Sequence, residues 1–136
     1  MILNSEQDTL NYGKEVANSL EATDIITLYG NLGAGKTMIA REIIKYFCGE
    51  TTIVTSPTFN ILQTYQAPNF MIYHYDLYRV KSLNEIYELG IEEAFNHNLC
   101  LIEWPEIIES LLPKPYIKIE LKHQGLIRLC FKSIVS

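Results

Sequence analysis

Residues Gly30-Asn31-Leu32-Gly33-Ala34-Gly35-Lys36-Thr37 fit the spacing G-x-x-x-x-G-K-[ST] and join two stretches of different periodicity. Before them, Ile25-Ile26-Thr27-Leu28-Tyr29 is a short apolar, β-branched run that reads as a buried strand. After them, Ile39, Ala40, Ile43, Ile44 and Phe47 recur at helical spacing, and Gly49 stands where a helix would stop. Strand, glycine turn and helix in that order commit the chain to an α/β architecture. The glycines let the backbone wrap closely around an anion, with successive N–H groups pointing inward at a helix N-terminus. Lys36 can place its ammonium on the outer phosphates of a nucleotide, and the Thr37 hydroxyl can face Mg²⁺. An ordinary glycine-rich turn with an exposed lysine explains neither the spacing nor the Lys-Thr pair.

With 136 residues the expectation is one domain, residues 1–136. The fold expected is a P-loop NTPase-like three-layer α/β fold, with a mixed, mainly parallel central sheet and an antiparallel hairpin. An apolar fraction of 48% suits a compact core, and no run approaches the ~18 apolar residues of a membrane-spanning helix. Met1 to Glu6 lack the features of a signal peptide, so a cytoplasmic location without membrane contact is expected. The cysteines, Cys48, Cys100 and Cys130, are widely separated, and the histidines are scattered; a zinc site is not expected. The net charge of −5 with dispersed Lys and Arg argues against strong nucleic-acid binding by this chain alone.

Ser5 to Leu20 reads as a helix capped by Ser5. Thr9 lies in it, either near a nucleotide or simply as a helix residue. Thr51 to Thr55 is strand-like and runs into Ser56-Pro57-Thr58, where Thr58 is either a γ-phosphate sensor or part of a plain turn. Asn60–Tyr65 and Phe70–Tyr75 flank a four-residue connection and read as a hairpin ending in Asp76. Ser82-Leu83-Asn84-Glu85 has the spacing of a capping box.

Leu99-Cys100-Leu101-Ile102 is the most apolar strand and delivers Glu103 to its C-terminal end, followed by Trp104-Pro105-Glu106. Ligands of open α/β sheets gather outside the carboxyl ends of the strands. Glu103 is therefore expected beside Lys36 and Thr37 if the strands are parallel neighbours, or else in water at the sheet edge. Tyr116–Lys122 and Leu126–Phe131 form a closing hairpin around Gly125, read as structural.

The guanine-reading tetrad N-K-x-D is absent, since no Asn is followed by Lys; ATP is favoured over GTP. Only three arginines occur, Arg41, Arg79 and Arg128. An arginine finger can supply 10³–10⁵ in phosphoryl-transfer rate, so slow intrinsic hydrolysis is expected. A small-molecule kinase would need an acceptor groove and a lid, for which little length remains. A nucleotide-gated binding module without significant catalysis is the other alternative.

Four segments, Leu28–Thr37, Ser56-Pro57-Thr58-Phe59, His74-Tyr75-Asp76-Leu77-Tyr78-Arg79 and Glu103-Trp104-Pro105-Glu106, occur in an order that resembles the bacterial ATPase family of tRNA threonylcarbamoyladenosine biosynthesis (TsaE, YjeE-like). The resemblance spans nearly the whole chain. It implies a P-loop ATPase, weak alone, that acts on two partner proteins, a catalytic subunit and its scaffold. Together these place threonylcarbamoyl on adenosine 37 of tRNA, which this chain would meet only indirectly. By the same resemblance, Gly33, Ala34, Gly35, Lys36, Thr37 and Met38 would bind ATP, with Thr9 against the nucleotide. Thr37 and Glu103 would hold Mg²⁺, and Lys36, Asp76 and Glu103 would serve hydrolysis. Thr58 would belong to a switch loop, and Trp104 would be a functional aromatic near the site or a packing residue. Asn31 stands where the family usually has Asp, and Met38 where it often has Thr.

Overall fold

The computed structural model describes residues 1–31, 35–57 and 60–136. Strand β1 (Ile2–Leu3) leads into helix α1 (Glu6–Ser19), then β2 (Ile25–Tyr29) and α2 (Lys36–Cys48). A hairpin of β3 (Leu62–Gln66) and β4 (Met71–Asp76) follows, then two short helices, α3 (Leu83–Glu88) and α4 (Ile91–Ala94). Strand β5 (Leu99–Glu103) runs into a 3-10 helix (Pro105–Leu111), and a long hairpin of β6 (Tyr116–Gln124) and β7 (Ile127–Val135) closes the chain. All seven strands form one sheet in the order β1-β7-β6-β2-β5-β4-β3. The central pairings β6–β2, β2–β5 and β5–β4 are parallel, and the flanking pairings β1–β7, β7–β6 and β4–β3 are antiparallel.

The sheet has a core on each face because side chains alternate along every strand. Ile26 and Leu28 of β2, with Leu99 and Leu101 of β5, pack against Val16 and Ala17 of α1 and Ile39, Ala40, Ile43 and Ile44 of α2. Ile25, Cys100 and Ile102 point the other way, onto Ile86, Ile91, Ala94 and Ile108 of the short helices. Every residue of β5 is buried, as expected of a strand covered on both faces. Parity then puts Glu103 on the α2 side, in line with Leu99 and Leu101.

Helix α1 starts as its sequence predicts: Ser5 Oγ accepts from the Asp8 N–H, and the Asp8 carboxylate accepts from the Asn4 N–H. Two local expectations fail. Residues 52–57 form no strand, and Ile53 is 84% exposed. The parallel strand β5 is already paired on both edges, by β2 and β4, and β3 closes that side of the sheet, so the β-branched run finds no inner partner. It is instead tied to β3 by Thr55, whose N–H donates to the Tyr65 hydroxyl and whose carbonyl accepts from it. Ser82 is the N-cap of α3, but its side chain makes no capping hydrogen bond. Among the described residues no helix is long and apolar enough to cross a membrane.

Candidate functional site

The carboxyl ends of β2, β4 and β5 lie side by side, and each delivers a polar group. Strand β2 ends in Gly30 and Asn31, and the chain re-enters described structure at Gly35, whose φ of 105° opens α2. That left-handed conformation favours glycine. Space alone would admit a side chain: a Cβ there would meet Thr9 Cγ2 at 3.4 Å and Arg128 Cζ at 3.5 Å, ordinary van der Waals contact, so it is the backbone conformation that calls for glycine. The parallel registers pair Leu28 with Glu103 and Asp76 with Glu103, so both acids sit level with the end of β2. Gly33, Ala34 and Thr58, expected to touch the phosphates or sense them, lie outside the described residues.

Lys36 is 5% exposed although it is a lysine at a helix start. Its ammonium donates to the carbonyls of Gly30 and Asn31 and lies 4.1 Å from the centroid of the Trp104 ring. Burial holds its pKa below the ordinary lysine value, while the charges of Glu103, Asp76 and Glu106 pull the other way. The next residue, Thr37, donates its hydroxyl to Glu103 Oε1 at 2.8 Å. The second carboxylate oxygen, Oε2, is 2.6 Å from His74 Nε2. Glu103 is 2% exposed, so these contacts replace the water it has lost.

Asp76 is half-buried at the mouth of the site. Burial raises its carboxyl above the usual range, and the Glu103 charge adds to that; the Tyr78 N–H, His74 and Lys36 act in the opposite sense. Trp104 stands directly after Glu103 with φ at 56°, a left-handed conformation unusual for a bulky residue. Its ring packs on Tyr78 with centroids 4.7 Å apart. It therefore has a packing partner and covers the Lys36 ammonium as well.

Thr9 lies against Gly35, with its Cγ2 3.4 Å from where a Cβ on that glycine would sit. It is fully buried, and its hydroxyl accepts from Arg128 Nη1 at 2.8 Å. The same guanidinium nitrogen is 3.8 Å from Met38 Sδ. Thr9, Gly35, Met38 and Arg128 thus form one cluster beside the start of α2. Arg128 comes from the closing hairpin, which the sequence marks only as structural. Nothing local announces it: β7 pairs with β1 at Arg128, and the sheet order carries that edge back to α1. His74 was the other omission, although its position two residues before Asp76 already put both on one face of β4.

Among the described residues no group of three or more His, Cys, Asp or Glu could hold a metal. Mg²⁺ does not need such a group, since it takes one or two protein oxygens and completes its shell with water and substrate phosphates. Thr37 and Glu103 fit such a role. Because the hydroxyl proton is directed at Glu103, the Thr37 oxygen keeps lone pairs free for a cation.

The family model of the threonylcarbamoyl adenosine biosynthesis protein TsaE matches residues 3–128. The tRNA threonylcarbamoyladenosine biosynthesis protein TsaE of Rickettsia conorii is 63% identical over 120 residues, which cover 88% of this chain and 69% of that protein. The protein of the same name from Bacillus subtilis is 37% identical over 120 residues, covering 88% of this chain and 74% of its own. The crystal structure of Bacillus subtilis YdiB superposes with a TM-score of 0.76 at 27% identity, over 99% of this chain and 84% of that one.

Proposed function

This chain belongs to the TsaE family of threonylcarbamoyl adenosine biosynthesis, and we propose that it serves there as a Mg²⁺-dependent ATPase acting on a partner complex rather than transferring the group itself. The observation that carries the reading is the hydrogen bond from Thr37 to Glu103. It joins the first turn of α2 to the end of β5 and leaves Lys36 and Asp76 on either side.

ATP would lie with its phosphates along the N-terminus of α2, where unpaired N–H groups favour negative charge. Lys36 would leave the Gly30 and Asn31 carbonyls for the β- and γ-phosphates. Thr37 and Glu103 would hold Mg²⁺, which when bound neutralises charge on the β- and γ-oxygens. Asp76, level with Glu103 but more exposed, would orient the attacking water. Arg128 and Thr9, beside Met38, would meet the α-phosphate and ribose end of the nucleotide. That leaves Arg128 away from the transferred phosphoryl group, in keeping with slow hydrolysis by the chain alone.

The partners in this reading are the catalytic and scaffold subunits that modify adenosine 37, with tRNA reached through them. The net charge of −5 supports an indirect contact. The test is ATP hydrolysis with and without the two partner proteins, with Lys36→Ala and Glu103→Ala as controls. Stimulation that both substitutions abolish is expected. Absence of stimulation, or equal turnover of GTP, would count against it.

A further inference from the structure

His74 is a buried polar group to which the reading above gives no task. It sits on β4 between Ile72 and Asp76 on the α2 face, paired with Leu101 of β5 on one side and Gln63 of β3 on the other, with the aliphatic Ile72, Leu99 and Leu101 on the inward side of it. The side chain is wholly buried. Nε2 meets Glu103 Oε2 at 2.6 Å, while Nδ1 is buried and has no hydrogen-bond partner among the described residues. A hydrogen on Nδ1 would be an orphaned donor in the core, whereas a bare Nδ1 forgoes only an acceptor contact. The proton therefore belongs on Nε2, from which His74 donates to the carboxylate.

An aliphatic residue would fill this position without burying an unpartnered nitrogen. What the imidazole adds is a fixed donor. Glu103 has three rotatable side-chain bonds, and one held oxygen does not fix the plane of its carboxylate. Two held oxygens do: Oε1 by Thr37 and Oε2 by His74. Groups that orient a metal-binding carboxylate in this way typically change metal affinity 10- to 100-fold when removed.

We propose that His74 is a positioning residue that holds Glu103, and through it the Thr37 hydroxyl, in the geometry that receives the Mg²⁺-bound phosphates of ATP. This rests on the ATPase reading of the site. Without the donor, Oε2 would face the apolar core unpaired, and the carboxylate would turn out of the plane that faces the Thr37 hydroxyl.

The test compares His74→Leu, which has no donor, with His74→Gln, whose amide nitrogen reaches the place of Nε2, and His74→Asn, whose amide falls short of it. Binding of a fluorescent ATP analogue is measured with excess Mg²⁺ and again with EDTA. In EDTA all four proteins should bind alike, which also reports that the variants are folded. With Mg²⁺, His74→Leu and His74→Asn should bind about 10-fold or more weakly than wild type, and His74→Gln should recover to within a few-fold. Equal binding by His74→Leu and His74→Gln would overturn the proposal. So would a loss of the same size with and without the metal, which is the mark of a purely structural role. Wild-type protein that binds the analogue without any response to Mg²⁺ would instead overturn the underlying reading of the site, and the proposal with it.

Discussion

Truncating Glu103 to alanine, in protein free of nucleotide and metal, measures what the Thr37–Glu103–His74 chain contributes to the fold. The substitution removes one acceptor from each neighbour, at 2.8 Å from Thr37 and 2.6 Å from His74. Thr37 is only half-buried, so water can replace its partner. His74 is sealed, and with Nδ1 already unpartnered among the described residues it would keep no hydrogen bond to them on either nitrogen. A buried donor orphaned in this way costs about 1–3 kcal/mol. The void left by the carboxylate adds roughly 1 kcal/mol. Relief from desolvating a buried carboxylate offsets part of this, leaving a net loss of about 2 kcal/mol. For a domain of this size that lowers the melting temperature by roughly 8 °C. The sharper test adds His74→Leu to each background. In the wild type it deprives a buried carboxylate of a donor and should destabilise; beside Glu103→Ala it removes the orphan and partly fills the void, and should stabilise. The two effects should differ by about 3 kcal/mol, the coupling of a contacting pair at the upper end of its usual range. Urea denaturation in EDTA, followed by far-UV circular dichroism, gives all four stabilities. Equal effects of His74→Leu in both backgrounds would refute the reasoning, because they would leave the 2.6 Å contact with no energetic weight.

Other outcomes follow from single features of the site. Asp76 binds its proton more tightly in the folded state, because burial raises its pKa above the ordinary 3.8. The ionised carboxylate therefore costs stability at neutral pH, and that cost fades as pH falls through the raised pKa toward the unfolded value. Asp76→Asn should raise the melting temperature near neutral pH but not below about pH 4, while ATP hydrolysis falls about 100-fold or more. Trp104 is the only tryptophan, and the Lys36 ammonium rests on its ring, so Mg²⁺ and ATP should change its fluorescence emission, and Lys36→Ala should remove most of that response. Arg128→Ala should weaken ATP binding about 10- to 100-fold by equilibrium titration, the equivalent of one charge-assisted hydrogen bond. It should leave the ratio of ATP to GTP affinity unchanged if the guanidinium contacts phosphate or ribose rather than the base.

Local sequence carried the elements that local physics decides. The apolar run Leu99–Ile102, the helical spacing of Ile39 to Phe47 and the Ser5 cap each specify their structure without help, and each formed as expected. Glu103 was legible because an acid at the end of a fully buried strand has few places to go. Failures came where a segment depends on a distant partner. Thr51–Thr55 has strand-forming residues but no free strand beside it. Arg128 sits on a hairpin whose neighbours in the sheet are set by topology, so its approach to Thr9 across 119 positions of chain leaves no local signature. His74 is an intermediate case. Its parity with Asp76 could be read from spacing, but its bond to Glu103 required β4 and β5 to be parallel and in register.

The contacts of Lys36 bear on which anions this loop accepts. With its ammonium shared among two carbonyls and an indole ring, Lys36 is already solvated from within the protein in the resting site. Occupancy is then an exchange, and an incoming anion must offer more than the carbonyls it displaces. A single inorganic phosphate would gain little by the trade, whereas a triphosphate could meet Lys36 and Thr37 together. On the proposed ATPase reading, the lysine's own backbone neighbours would thus act as a competitive filter, disfavouring small anions relative to long ones. For the same reason, an affinity lost on removing Lys36 understates its grip on phosphate, since the reference state has lost its contacts as well.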